Sequence, residues 1–148
     1  MAYKPLPIGV DDFEKLITRG YYFVDKTLFV KELLDKKGDV NLFTRPRRFG
    51  KTLSLSILKY FFEDERDKDG GKKDNSYLFE GLNIMQEDDS YLSHMEQYPV
   101  INLSLKSGKQ PDFEMSRDSL VDEIQKEFQR HKYVLQGSAL DEFQKEKF

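Results

Sequence analysis

Gly50-Lys51-Thr52 stands between a short apolar run, "VNLFT", and a long one, "LSLSILKYFF". Chains that hold an anion against a helix use this order. Backbone N–H groups just before the helix point inward, a lysine neutralises terminal phosphates, and the hydroxyl after it ligates Mg²⁺. Here Gly50 lets the backbone come close to the phosphates, Lys51 supplies the cation and Thr52 the hydroxyl and metal ligand, with Phe49 in the same loop. Arg45 occupies the place where the general pattern begins with glycine, and Pro46 removes one backbone donor. Donors from Arg47 through Thr52 remain, so the nest is altered and not abolished. Arg45, Arg47 and Arg48 suit two roles, a bidentate phosphate clamp or the decoration of a solvated basic turn.

A bare Gly-Lys-Ser/Thr arises by chance in about one chain in ten of this length, so the tripeptide alone is weak. Its position between a strand-like and a helix-like segment is rarer and favours nucleotide binding. The competing reading is a basic surface turn that closes a βα unit. Both histidines, His94 and His131, sit in polar helical segments without metal-ligand spacing and read as surface residues.

The surrounding elements must place that loop. "GVDDFEKLITRG" offers Asp11 or Asp12 as an N-cap, Phe13, Leu16 and Ile17 as an apolar stripe, and Gly20 as a C-terminal stop. "FVDKTLFVKELLDKKGD" repeats the scheme with Asp25 as cap and Gly38 as stop. Residues 40–44 read as a buried strand, and "YPVINLSL" gives a second over 99–105, with Pro99 at its start. "EDERDKDGGKKDN" reads as a solvated loop with nothing to pack. From Pro111 to about Leu135 the stripe Phe113, Met115, Leu120, Ile124 and Phe128 predicts an amphipathic helix, and "SALDEFQKEKF" begins another. The order of these elements points to an α/β fold.

Composition sets the outer limits. The chain has 148 residues, enough for one domain with a real core. Twelve Phe and eight Tyr, with no Trp, put much of that core in aromatic rings. A net charge of −3 gives no global basic field, which argues against nucleic acid as a partner of this chain alone. The absence of cysteine excludes disulfides and thiolate metal sites, and suits a reducing, cytoplasmic setting. No apolar run resembles a signal peptide or a membrane span.

Four segments together carry a family resemblance: "PIGVDDFEKLITRGYYFVDKTLFVKELL", "NLFTRPRRFGKTLSLSILKYFF", "LFEGLNI" and "YPVINLSL". In that order they resemble the N-terminal part of the AAA-ATPase-like family, prokaryotic P-loop proteins in which arginine at the first glycine position is the norm. The resemblance implies an incomplete P-loop NTPase core of ASCE type, with N-terminal helices and few parallel strands. It implies ATP with Mg²⁺ as the ligand, and it brings Asp25, Lys26 and Thr27 of "FVDKT" toward the nucleotide. The reading from the residues alone keeps Asp25 as a helix cap. By the same resemblance the chain divides into an N-terminal helical segment (1–38), a P-loop unit (39–63), a charged loop (64–76) and a second strand with helices (77–148).

Hydrolysis in such folds needs an acidic residue at the end of a later apolar strand. After "INLSL" no run of four apolar residues is followed by Asp or Glu. The resemblance places that strand downstream of this sequence, along with a C-terminal domain resembling PD-(D/E)XK nucleases in fuller members. The expectation is therefore nucleotide binding without turnover. The strands at 40–44 and 99–105 are expected to pair directly, to be exchanged in self-association, or to be completed by a C-terminal partner. Two alternatives stand beside this: a nucleic-acid module using the Arg45–Lys51 cluster, and a structural fragment that binds nothing.

Overall fold

The computed structural model describes residues 4–44, 46, 49–67 and 69–136. Five α-helices occur among them: α1 (Phe13–Thr18), α2 (Leu28–Lys36), α3 (Lys51–Phe62), α4 (Asp89–Leu92) and α5 (Phe113–Arg130), joined by short 3-10 turns. The chain forms two compact units. One comprises Met1–Glu65 with Lys73–Tyr98, the other Arg66–Lys72 with Pro99–Phe148.

In the first unit, α1 starts where Asp12 accepts from the Lys15 N–H at 2.9 Å, and ends before Gly20, which takes φ 66°. Helix α2 follows Thr27 and stops at Lys37, whose left-handed φ of 46° fills the place expected of Gly38. Phe13, Val30, Ile57, Phe61, Leu78, Phe79 and Ile84 form the core. Phe13 meets Phe79 and Phe23 at centroid distances of 5.1 and 5.6 Å, the tilted and edge-on contacts that aromatic rings prefer. Two ties fix α1 on α3. The Phe13 N–H donates to Ser56 Oγ at 2.9 Å, and the Tyr60 hydroxyl lies 3.2 Å from both Asp12 Oδ2 and Glu14 Oε2. Burial, with those two carboxylates alongside, drives the Tyr60 phenol far above its ordinary value, so it stays a donor.

The expected α/β architecture, an incomplete ASCE-type P-loop core with few parallel strands, is not what the structure contains. Among the described residues there is no strand and no sheet, only isolated bridges, Glu63 to Tyr98 (parallel) and Arg66 to Lys72 (antiparallel). A short apolar run becomes a buried strand only when a neighbour supplies ladder bonds and a covering face. Residues 40–44 have neither: Val40 is 90% and Leu42 85% exposed, and Phe43 instead packs edge-on against Phe29 at 4.7 Å. In the second unit, side chains of α5 take the place of a ladder for the stretch after Pro99. Glu127 Oε2 accepts the Asn102 N–H at 3.0 Å, and His131 Nε2 donates to the Val100 carbonyl at 2.9 Å.

Two smaller expectations also change. His131 is buried by its bond to Val100 and is no surface residue, whereas His94 stacks on the Tyr98 ring at 5.8 Å. The charged stretch is not uniformly solvated. Asn75 is fully buried, its amide donating to Glu65 Oε2 at 2.7 Å and its N–H to Glu96, and Lys73 lies between Glu65 and Glu14. The charges pack because they pair. The helix expected within "SALDEFQKEKF" lies outside the described residues.

Candidate functional site

Helix α3 begins with an open end. Gly50 precedes it at φ 73°, ψ 25° and, as a glycine, has no side chain with which to cap the first turn; the first helical bond runs from the Ser54 N–H to the Gly50 carbonyl at 2.9 Å. The N–H groups of Lys51, Thr52 and Leu53 therefore face outward at the positive end of the helix dipole. They are exposed to an anion.

That end opens into a cleft of about 870 Å³, within the range of small-molecule sites. Phe49, Gly50, Lys51, Thr52 and Leu53 line one part, Lys26 another, and Pro7 through Asp11 a third. The segment before α1 reaches the cleft because the ties from Ser56 and Tyr60 fix α1 along α3, and a turn at Ile8 and Gly9 reverses the chain there. A smaller hollow of about 190 Å³, lined by Phe29, Phe43, Ser54 and Leu55, also reaches Lys51.

"FVDKT" divides its labour. Asp25 Oδ1 accepts from the Thr27 N–H at 2.8 Å and the Thr27 hydroxyl at 2.7 Å, while Oδ2 accepts from the Asn83 N–H at 2.7 Å. Thr27, fully buried, in turn accepts from the Ile84 N–H at 3.2 Å. Asp25 thus holds the turn ahead of α2 and pins it to "LNI", and the N-cap position of α2 is Thr27. Partial burial pushes the Asp25 carboxyl up, but its donors, led by the Asn83 N–H, bring it below the ordinary 3.8. Lys26, between two anchored neighbours, is the residue that the motif turns into the cleft.

Of the residues expected from sequence, Lys26, Phe49, Gly50, Lys51 and Thr52 come together, and Asp25 and Thr27 support them from outside the lining. Arg45, Arg47 and Arg48 lie outside the described residues. Sequence reasoning missed the wall from Pro7 to Val10, and saw Asp11 only as a cap. Proline and glycine crowded ahead of a capped helix, "PLPIGVDD", were the available signal of a built turn.

The donor set fits a nucleotide's phosphates: backbone N–H groups, two lysines and a hydroxyl. For Mg²⁺ the cleft lining includes Thr52, whose hydroxyl could serve as a ligand; among the described residues no cluster of three or more acidic, His or Cys side chains could hold a metal. Mg²⁺ in phosphate sites typically uses one or two protein ligands with phosphate oxygens and water, so the set suffices only with phosphate present.

The profile of the AAA-ATPase-like family, described as "Predicted AAA-ATPase", matches residues 7–147. The chain belongs to this family. Among curated proteins it is 37% identical over 110 residues to one from Azotobacter chroococcum mcd 1, described as "Uncharacterized protein in vnfD 5'region". That alignment covers 73% of this chain and 18% of the relative's length. No solved structure matches the chain. Among the described residues of this AAA-ATPase-like protein, no helix is long and apolar enough to cross a membrane.

Gly50 gives the site its simplest test. A Cβ there meets nothing within 4 Å, so only the positive φ of 73° penalises a side chain. Gly50→Ala is expected to lower stability by about 1 kcal/mol through that strain alone, read by urea unfolding.

Proposed function

We propose that the cleft binds ATP or ADP through the phosphates, which sit on the open end of α3 beside Lys51 and Lys26. The observation that carries this reading is the first turn of α3 behind a left-handed Gly50, which brings no capping side chain, lining a cleft of nucleotide size. Membership of the family supports a nucleotide as the partner. Thr52 would hold Mg²⁺ together with phosphate oxygens, and the metal would supply further charge neutralisation there. Turnover by this chain alone is expected to stay at background, since the sequence after Leu105 has no strand-length run of four apolar residues followed by an acid to orient water.

Calorimetric titration with ATP, ADP, AMP and adenosine tests the reading. Affinity should fall as phosphates are removed and vanish for adenosine; equal affinity for ATP and adenosine would contradict it. The arginines of the loop give a second, independent result. If Arg47 or Arg48 clamps phosphate, its alanine variant should bind ATP more weakly by roughly 1.5–3 kcal/mol, the range for a hydrogen bond to a charged group. If they only decorate the turn, the loss should stay within about 0.5 kcal/mol.

A further inference from the structure

A diphosphate on the open end of α3 fills only part of the cleft of about 870 Å³. Another part of the lining differs in kind. Pro7, Ile8 and Val10 bring apolar surface, where Lys26, Lys51 and Thr52 bring two cations and a hydroxyl. A molecule suited to the whole cleft is therefore charged at one end and apolar at the other. Small-molecule sites take contact area from apolar walls and orientation from a few polar groups.

The apolar wall is built before anything binds. Pro5 and Pro7 fix their own φ angles in "PLPIG". The Tyr22 N–H donates to the Pro5 carbonyl at 2.9 Å, which fastens the segment to the chain beyond α1. The Ile8 N–H donates to the Leu6 carbonyl at 2.9 Å, and the Val10 N–H to the Pro7 carbonyl at 3.3 Å, closing a turn over Ile8 and Gly9. Gly9 takes φ 75°, the positive value that the third position of a type II turn requires. Ile8 stands at the tip of this turn, 90% exposed while lining the cleft. The turn and the start of α3 belong to the same compact unit, joined through the tie from Phe13 to Ser56. Isoleucine is stiff at χ1, so covering Ile8 costs little side-chain entropy. A flat ring laid on it removes apolar surface of both groups from water. A nucleotide carries such a ring.

We propose that the base of the bound nucleotide lies against Ile8 on the turn from Pro7 to Val10. Ile8 then distinguishes a base-bearing diphosphate from one without a base. The assignment rests on the phosphates lying at the start of α3.

Calorimetric titration of the intact chain with ADP and with ribose 5-diphosphate, which is ADP without its base, tests it in the presence of Mg²⁺. Wild type should bind ADP about tenfold more tightly, the modest end of what covering an isoleucine is worth. Ile8→Ser should narrow that gap to within about threefold and leave the affinity for ribose 5-diphosphate unchanged. Ile8→Phe should keep a gap of about tenfold, because a ring again offers the base an apolar face. Ile8 is exposed, so both variants should unfold at the urea midpoint of wild type. Equal affinity of wild type for the two ligands, or a gap that survives Ile8→Ser, would overturn the base contact and leave the phosphate site standing. Equal weakening of both ligands by Ile8→Ser would also overturn it. A chain that binds ADP but not ribose 5-diphosphate would contradict the phosphate site itself, and the base contact with it.

Discussion

Replacing Lys51 with alanine is expected to weaken ATP binding by about tenfold to a hundredfold, the equivalent of losing a hydrogen bond between charged groups. The expectation follows from position. Lys51 is the first residue of α3 and lines the cleft, so in the proposed complex its ammonium and its N–H would serve the same anion. The substitution leaves the helix start intact, because alanine suits a first turn and Gly50 still sets the entry. Binding should therefore fall without loss of stability. Lys26→Ala should give a smaller loss, because Lys26 stands apart from the helix end. His94→Ala, at the Tyr98 stack, should leave affinity unchanged. Calorimetry on the three variants reads these outcomes, and equal affinity for wild type and Lys51→Ala would show that α3 does not hold the phosphates.

Asp25→Ala should cost about 2–3 kcal/mol of stability, the largest folding effect expected of any residue near the cleft. One carboxylate there accepts three bonds, and one of its donors, the Thr27 hydroxyl, is fully buried. The figure sits low in the range for three charge-assisted bonds because Asp25 is only partly buried and water recovers part of each bond. The carboxyl titrates below its ordinary 3.8 in the folded chain, so its contribution is complete above that value and is lost as pH falls through the folded pKa. Urea midpoints taken at neutral pH and well below 3.8, beneath the folded pKa, should accordingly show a narrower gap between wild type and variant on the acid side. A gap that persists unchanged into acid would remove the carboxylate from the account. Asp25→Ala should also weaken ATP binding moderately, since Lys26 would lose one of its two anchored neighbours.

What the sequence made legible was local. Asp12 caps α1 and Gly20 ends it because caps and left-handed stops are decided within a few residues. The start of α3 directly after Gly50 was legible for the same reason. "VNLFT" and "YPVINLSL" misled because burial of an apolar run is a tertiary property. The same residues are exposed at Val40 and Leu42, and side chains of α5 bond the segment at Val100 and Asn102. Asn75 and His131 were misread in the opposite sense: each polar group is buried by a partner, Glu65 for one and the Val100 carbonyl for the other, distant in sequence. The wall from Pro7 to Val10 went unseen because it meets the loop only through α1, tied to α3 at Ser56 and Tyr60. Long-range ties of that sort leave no local pattern.

The central claim, that phosphate rests on the open end of α3, is tested most directly by backbone amide chemical shifts during an ADP titration. The account predicts the largest shifts at Gly50, Lys51, Thr52 and Leu53, with smaller ones at Lys26 and from Ile8 to Asp11. Inorganic phosphate should reproduce the first group and leave the second nearly still. Saturable ADP binding that leaves the amides from Gly50 to Leu53 unmoved would contradict it.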